Sequence, residues 1–468
     1  MPRSDNSCPF VVEKSEVVLV KPSKPTPDVT LSLSTIDNDP NNEVILDILC
    51  VFSPNPYVRD HTNYHPASFI QLALSNALVY YYPLAGKLHR RTSDQTLQLD
   101  CTQGDGVPLI KATASCTLSS LNYLESGNHL EATYQLVPSH DTLKGCNLGY
   151  RPLALQITKF TCGGMTIGSV HSHTVCDGIG MAQFSQAILE LAAGRAQPTV
   201  IPVWDRHMIT SNQISTLCKL GNDKNNPKLV DVEKDCSSPD TPTEDMVREI
   251  LNITSEDITK LKNIIIEDEN LTNEKEKNMK ITTVEVLAAY VWRARCRAMK
   301  LNPDTITDLV ISVSIRSSIE PPLPEGYYGN AFTHASVALT AKELSKTPIS
   351  RLVRLIKDAK RAALDNGYVC EQLREMENTM KLKLASKEIH GGVFMMLTDW
   401  RHLGLDQDVW GGLVNIIPLV PLTLPFLCVL LPASKAVPGK SGGVRVLTTL
   451  PRDAMAKFKE EIDAVLHP

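Results

Sequence analysis

The densest gathering of chemically able side chains is His171-Ser172-His173-Thr174-Val175-Cys176-Asp177-Gly178-Ile179-Gly180. An imidazole titrates near ~6.5, so it can take a proton at neutral pH and return it. Asp177, four residues after His173, could accept a hydrogen bond from the ring, as in a triad. It could equally pair with an arginine and hold the loop. On spacing alone three readings stay open. The histidines could be hydrogen-bonded core residues. They could ligate zinc, since His171 and His173 share a strand face and Cys176 and Asp177 are near. No second cluster has metal spacing, so no metal is expected. Or His173 could be a general base. No GxSxG elbow, P-loop or GxGxxG occurs, so the signals for serine hydrolysis, nucleotide triphosphates and dinucleotides are absent.

These residues need elements to hold them. Met165, Ile167, Ser169, His171 and His173 alternate along one face of a strand. Cys162-Gly163-Gly164 reads as a turn, and Leu153, Leu155 and Ile157 share a face of the preceding strand. A helix follows near Met181, with Phe184, Ile188 and Leu191 inward, ended by Gly194 and Pro198. The histidines thus fall at a strand end before a helix, where sites are commonly built. Earlier, 66–80 reads as a helix with Phe69, Leu72, Ala73, Ala77 and Tyr80 on one face, stopped by Pro83. Later helices are predicted at 255–268, 283–299 and 347–365. The last turns Ile349, Leu352, Val353 and Ile356 inward; Arg351, Arg354, Lys357, Lys360 and Arg361 read as its solvated face. A Gly-Gly turn at 442–443, the strand Val444–Leu450 and a helix with Met455, Phe458 and Ile462 inward close the chain.

The most apolar run, Ile416 to Pro432, is shorter than the ~20 residues of a membrane helix. Pro418, Pro421 and Pro425 interrupt it, so buried strands are expected. The polar stretch 206–245 is the best boundary. The expected organisation is a domain over 1–205, a crossover over 206–245 and a second domain over 246–468. The fold class is α/β, mixed α+β.

The chain has 468 residues, 43% hydrophobic and 21% charged, with a formal net charge of -5 and a pI near 6.2. This is an ordinary globular composition, not that of a nucleic-acid binder, whose domains have pI above about 9. Twelve cysteines are scattered singly, which reads as reduced thiols rather than a disulfide framework. MPRSDNSCPF has no apolar core like that of a signal peptide. The expected location is the cytoplasm.

HTVCDG at 173–178 resembles the His-x-x-x-Asp-Gly motif of the plant BAHD acyl-CoA-dependent acyltransferases. The resemblance covers nearly the whole chain: VKPSKPTP at 20–27, LSLSTID at 31–37, YYYPLAGKL at 80–88, DCTQGDGVP at 100–108, QITKFTCGG at 156–164, PVWDR at 202–206, TTVEVLAAYVWRAR at 282–295, PPLPEGYYGNAF at 321–332, TDWRHLG at 398–404 and GGVRVLTTLP at 442–451. STIDNDPNNEVI, TKFTCGG, PLPEGYYGNAF and LTDWRHLG are most similar to the spermidine hydroxycinnamoyl (sinapoyl or coumaroyl) transferases. One departure stands out. The family's Asp-Phe-Gly-Trp-Gly stretch reads Asp408-Val409-Trp410-Gly411-Gly412 here.

The resemblance implies two chloramphenicol-acetyltransferase-like domains with a solvent channel between them. It implies an acyl-CoA co-substrate, no permanently bound cofactor, no metal, an amine or alcohol acceptor and a monomer without nucleic-acid or membrane partners. His173 would be the base and Asp177 a structural residue paired with Arg316. Trp410 or Thr398 would donate to the oxyanion. Asp399 and Trp400 would belong to the acceptor wall, with Asp399 holding a cation. Thr282 and Thr283 would contact the acyl-CoA, or simply cap their helix. Asp408 would support the channel wall. The leading function is N-acyl transfer from a hydroxycinnamoyl-CoA to spermidine or a related polyamine. The alternatives are O-acyl transfer to a specialised-metabolite alcohol, and a non-catalytic protein that binds CoA esters.

Overall fold

The computed structural model describes residues 10–55, 65–102, 105–125, 130–144, 149–210, 213, 245–267, 280–381, 393–404, 412–436 and 442–466. Among them are three sheets, of seven, six and three strands. The central part of the first runs Val107–Ala114, Leu153–Phe160, Met165–Ser172, Ile45–Phe52 and Leu413–Pro418. The second runs Met246–Ile253, Val444–Pro451, Leu427–Pro432, Phe394–Asp399, Ile306–Ser314 and Phe332–Thr340.

The apolar run splits between the two sheets. Its first part pairs with Ile45–Phe52 in the first sheet, Ile416 opposite Cys50. Its second part, Leu427–Pro432, enters the second sheet between Phe394–Asp399 and Val444–Pro451. Pro421 and Pro425 lie in the turn between them, where a missing N–H costs no ladder bond. The expected cut at 206–245 therefore does not separate the sheets: a strand of the 246–468 half completes the first. Residues 211–244 of that stretch, Gln213 apart, lie outside the described residues.

Each of the two large sheets buries a face under helices. Helices Pro66–Ala77 and Gly178–Ala192 pack on each other and on the first sheet. Helices Thr283–Ala298, Ile349–Ala362 and Arg452–Leu466 cover the second, burying Leu352, Val353, Ile356, Met455 and Phe458. The helix Pro66–Ala77 differs from its sequence reading. Phe69 and Leu72 are exposed, while Ile70, Ala73, Leu74 and Ala77 are buried. Apolar residues lie on more than one side of it, so periodicity alone could not choose the face. The basic side of Ile349–Ala362 is only partly solvated, since Lys360 pairs with the buried Glu285 at 3.0 Å.

The second sheet also uses its other face. Along Leu427–Pro432, Cys428 and Leu430 belong to the core beneath the sheet's own helices. Val429 and Leu431 belong to the core of the first unit, as does Leu447 of the neighbouring strand. Both faces bury aliphatic side chains, each stabilising by roughly 1.5–3 kcal/mol. This two-faced sheet holds the halves together, and the histidine cluster lies where they meet.

Candidate active site

The strand Met165–Ser172 ends in a short 3-10 turn, His173–Val175. The His173 N–H donates to the carbonyl of Val44 at 2.9 Å, fixing the turn to the neighbouring strand. Asp177 then starts the helix Gly178–Ala192 as its N-cap, accepting from the Gly180 N–H at 3.0 Å. A Cβ on Gly180 would lie 2.7 Å from that of Cys176, so only glycine fits this tight turn.

His173 is half-buried. Its ring stands edge-on to Phe332, centroids 6.0 Å apart, and its Nδ1 is enclosed without a hydrogen-bond partner among the described residues. Burial lowers its pKa, against the opposing pull of the Asp177 and Asp37 charges. The ring is therefore neutral at neutral pH, as a base must be. His171 is fully enclosed, and burial with the nearby His173 brings it down to about 3. Cys176 is pushed up to about 12 by burial, so it is a thiol rather than a thiolate at neutral pH. Among the described residues no group of three or more His, Cys, Asp or Glu side chains is gathered as a metal site.

Asp177 does not touch the His173 ring in a triad. Its Oδ2 accepts from Arg316 Nη1 at 2.7 Å and from the Ala331 N–H at 3.1 Å. Its Oδ1 accepts from Arg316 Nη2 at 2.9 Å, beside the Gly180 N–H. Arg316 Nη2 also donates to the Gly329 carbonyl at 3.0 Å. Each carboxylate oxygen thus has two donors, and the pair ties the helix start to the 316–331 segment. Because the pair keeps some contact with water, Asp177→Ala should cost about 3 kcal/mol, the lower end for a broken buried pair. Urea unfolding would measure it, and activity should fall in the same variant.

A second, fully enclosed network was not legible from spacing. Asp37 pairs with Arg206, both almost without solvent contact. Asp37 Oδ1 also accepts from the Asn330 N–H at 2.9 Å and Nδ2 at 2.8 Å. Asn330 Nδ2 donates in turn to the His173 carbonyl at 2.8 Å. Arg206 Nη2 donates to the Val175 carbonyl at 2.7 Å. The main chain of the catalytic turn is therefore held from both sides. A Cβ on Gly329 would lie 3.0–3.1 Å from the Arg206 guanidinium. Asp37, Arg206 and Asn330 fall within segments that carry the resemblance, LSLSTID, PVWDR and PPLPEGYYGNAF. That clustering was their only signal.

The remaining sequence candidates are placed as follows. Thr398 and Asp399 end the strand Phe394–Asp399, and the Trp400 N–H donates to the Leu430 carbonyl at 2.8 Å. Asp399 is committed to Arg401: Nε donates to Oδ1 at 2.8 Å and Nη2 to Oδ2 at 2.6 Å. The carboxylate expected to hold a substrate cation is thus paired with an arginine two residues on rather than standing alone. Thr282 is the N-cap of the helix Thr283–Ala298, and Glu285 reaches back to the Thr282 N–H at 2.9 Å. The Thr282 Oγ1 itself is enclosed with no hydrogen-bond partner among the described residues, and Thr283 is the first residue of the helix. Asp408 and Trp410 lie outside the described residues.

A two-sheet frame with a neutral histidine at its seam, followed by an arginine-anchored aspartate, defines a class. Residues 10–465 match the model of the transferase family, and the chain belongs to that family as an acyltransferase of the BAHD type. It is 41% identical over 465 residues to the spermidine sinapoyl-CoA acyltransferase of Arabidopsis thaliana, covering 98% of each chain. It is 42% identical over 458 residues to the spermidine coumaroyl-CoA acyltransferase of the same plant, covering 97% of this chain and 95% of that one. The crystal structure of vinorine synthase shares the fold at a TM-score of 0.70 and 21% identity, covering 97% of this chain and 98% of that one.

Proposed function

We propose that the protein transfers a hydroxycinnamoyl group from its CoA thioester to spermidine or a related polyamine, forming an amide. The observation that carries this reading is the 41–42% identity, across almost the whole chain, to two acyltransferases named for spermidine and a hydroxycinnamoyl-CoA. At 30–31% identity, relatives named for N-benzoyl and O-acetyl transfer are about equally similar, so the choice of nitrogen rests on the two spermidine acyltransferases.

In this reading the neutral amine nitrogen attacks the thioester carbonyl directly. His173 takes one proton from that nitrogen as the new C–N bond forms. The tetrahedral oxyanion then collapses, the C–S bond breaks, and His173 returns the proton to the leaving thiolate. No acyl-enzyme is needed, and Cys176, buried and protonated, plays no part. Thr398 is the described candidate for donating to the oxyanion. Holding both substrates beside one imidazole supplies the proximity advantage.

The pH dependence follows from two groups. Burial holds the His173 pKa below its ordinary value, so the base is lost only at pH below ~6.5. The acceptor amine titrates near ~10.4, so its reactive neutral fraction grows as pH rises above about 7. The kcat/KM for the amine should therefore climb with pH on the alkaline side and keep its base on the acid side. A pH–rate profile checks both limbs. Purified protein offered a matrix of CoA thioesters and acceptors, read by mass spectrometry, tests the reading itself. An amide of spermidine is the expected product, and turnover of neutral alcohols alone would replace it by O-acyl transfer.

A further inference from the structure

Sequence spacing gave no hint of His334, in GNAFTHASV. It lies on Phe332–Thr340, the edge strand of the second sheet, opposite Ser312. The face it occupies follows from the register. Ile311 pairs with Leu397, and both point into the core beneath the sheet's own helices. One step on, Ser312 and Thr398 must point the other way, because strand side chains alternate. His334, opposite Ser312, shares that face. The same row continues through Thr398 to Val429 and Leu447, which pack into the first unit's core. His334 therefore belongs to the polar end of the face turned towards His173. Phe332, two residues earlier on that face, stands edge-on to both rings, at 6.0 Å from His173 and 5.4 Å from His334.

The Nε2 of His334 is enclosed, and nothing in the described chain bonds to it. Buried polar atoms are rarely left so. The strand around it is fixed, since the Tyr368 hydroxyl donates to the His334 carbonyl at 2.7 Å. Burial and the neighbouring His173 hold its pKa at about 4, so at neutral pH the ring carries an acceptor nitrogen. Just outside, charge turns negative. Burial first, then the carboxylates of Glu375, Asp308 and Glu371, push the Tyr368 phenol up. Asp308 lies on the same strand face as Ser312 and accepts from Ser336 Oγ at 2.7 Å.

We propose that His334 determines acceptor specificity: its Nε2 accepts a hydrogen bond from the second nitrogen of a polyamine whose first nitrogen lies against His173. This inference rests on the polyamine reading above. The order of groups matches such a chain. A neutral imidazole faces the nitrogen that must be uncharged to attack. A second neutral imidazole lies against the same Phe332 ring. Asp308, Glu371 and Glu375, close enough to Tyr368 to add to burial in raising its pKa, put negative charge near this end, which favours a distal ammonium. A monoamine of the same length would leave Nε2 unpaired, and an unmet buried acceptor is what selective sites use for rejection.

The test compares spermidine with an alkyl monoamine of similar length, in the wild type and in His334→Leu and His334→Gln. Glutamine can place an acceptor near the position of Nε2, and leucine cannot. The wild type should prefer spermidine in kcat/KM. His334→Leu should reduce that preference by about tenfold or more, mainly through the acceptor KM, with the KM for the acyl-CoA little changed. His334→Gln should keep most of the preference. If leucine prevents folding, His334→Asn, polar but too short, must show the same loss. A preference for spermidine that survives in His334→Leu, or in a folded His334→Asn, overturns the role of His334 alone. A wild type that acylates no polyamine overturns the polyamine reading, and this inference with it.

Discussion

His173→Ala lowers kcat by about 10²–10⁴-fold, the range for loss of a positioned general base, while the melting temperature stays close to that of the wild type. The ring makes few commitments to the fold. Among the described residues its Nδ1 has no hydrogen-bond partner, and its main chain carries the bonds to Val44 and Asn330. Deleting it should leave the turn in place and remove the proton acceptor. Steady-state kinetics with thermal unfolding of the same preparation separate the two effects. His171→Gln is the control. That ring is enclosed in the strand and held neutral, so its loss should affect packing more than turnover. A His171→Gln variant as inactive as His173→Ala would mean that the base has been misassigned.

Asp37→Ala should be the most destabilising single charge deletion in the site, by about 3–5 kcal/mol. Asp37 and Arg206 have side chains almost without solvent contact, so removing one leaves a buried charge with no screening from water. Asn330 would lose its acceptor as well, and the His173 and Val175 carbonyls are held by these same residues. Urea denaturation should show the loss, and it should exceed that of Asp177→Ala. Equal stability of the wild type and Asp37→Ala would mean that the network is dispensable.

The sequence made some of this readable and hid the rest for physical reasons. The hairpin 153–173 and the helix after it were legible because period-two and period-3.6 patterns are local. The inward residues of Ile349–Ala362 were legible for the same reason. In the helix Pro66–Ala77 the expected Ala73 and Ala77 are buried, but Phe69 and Leu72 are apolar yet exposed. The exchange of Leu413–Pro418 into the first sheet could not be read from an apolar run, which shows only that a strand is buried. The Asp177–Arg316 pairing came from the resemblance rather than from spacing. Asp37, Arg206, Asn330 and His334 had no local pattern at all. They become a site only when segments some 150 to 300 residues apart meet, as Asp37 and Asn330 do across 293 positions. Asp399 shows the reverse case: its neighbour Arg401 was in plain view two residues on, and it is the partner that takes the carboxylate.

The most direct test of the account is a competition in one vessel. A hydroxycinnamoyl-CoA is offered to the purified protein with equal concentrations of spermidine and a neutral alcohol, and the acyl products are counted by mass spectrometry, with His173→Ala run alongside. The account predicts the spermidine amide as the dominant product, and its near-disappearance in the variant. An ester as the dominant product, or an amide formed equally fast without the His173 side chain, would contradict it.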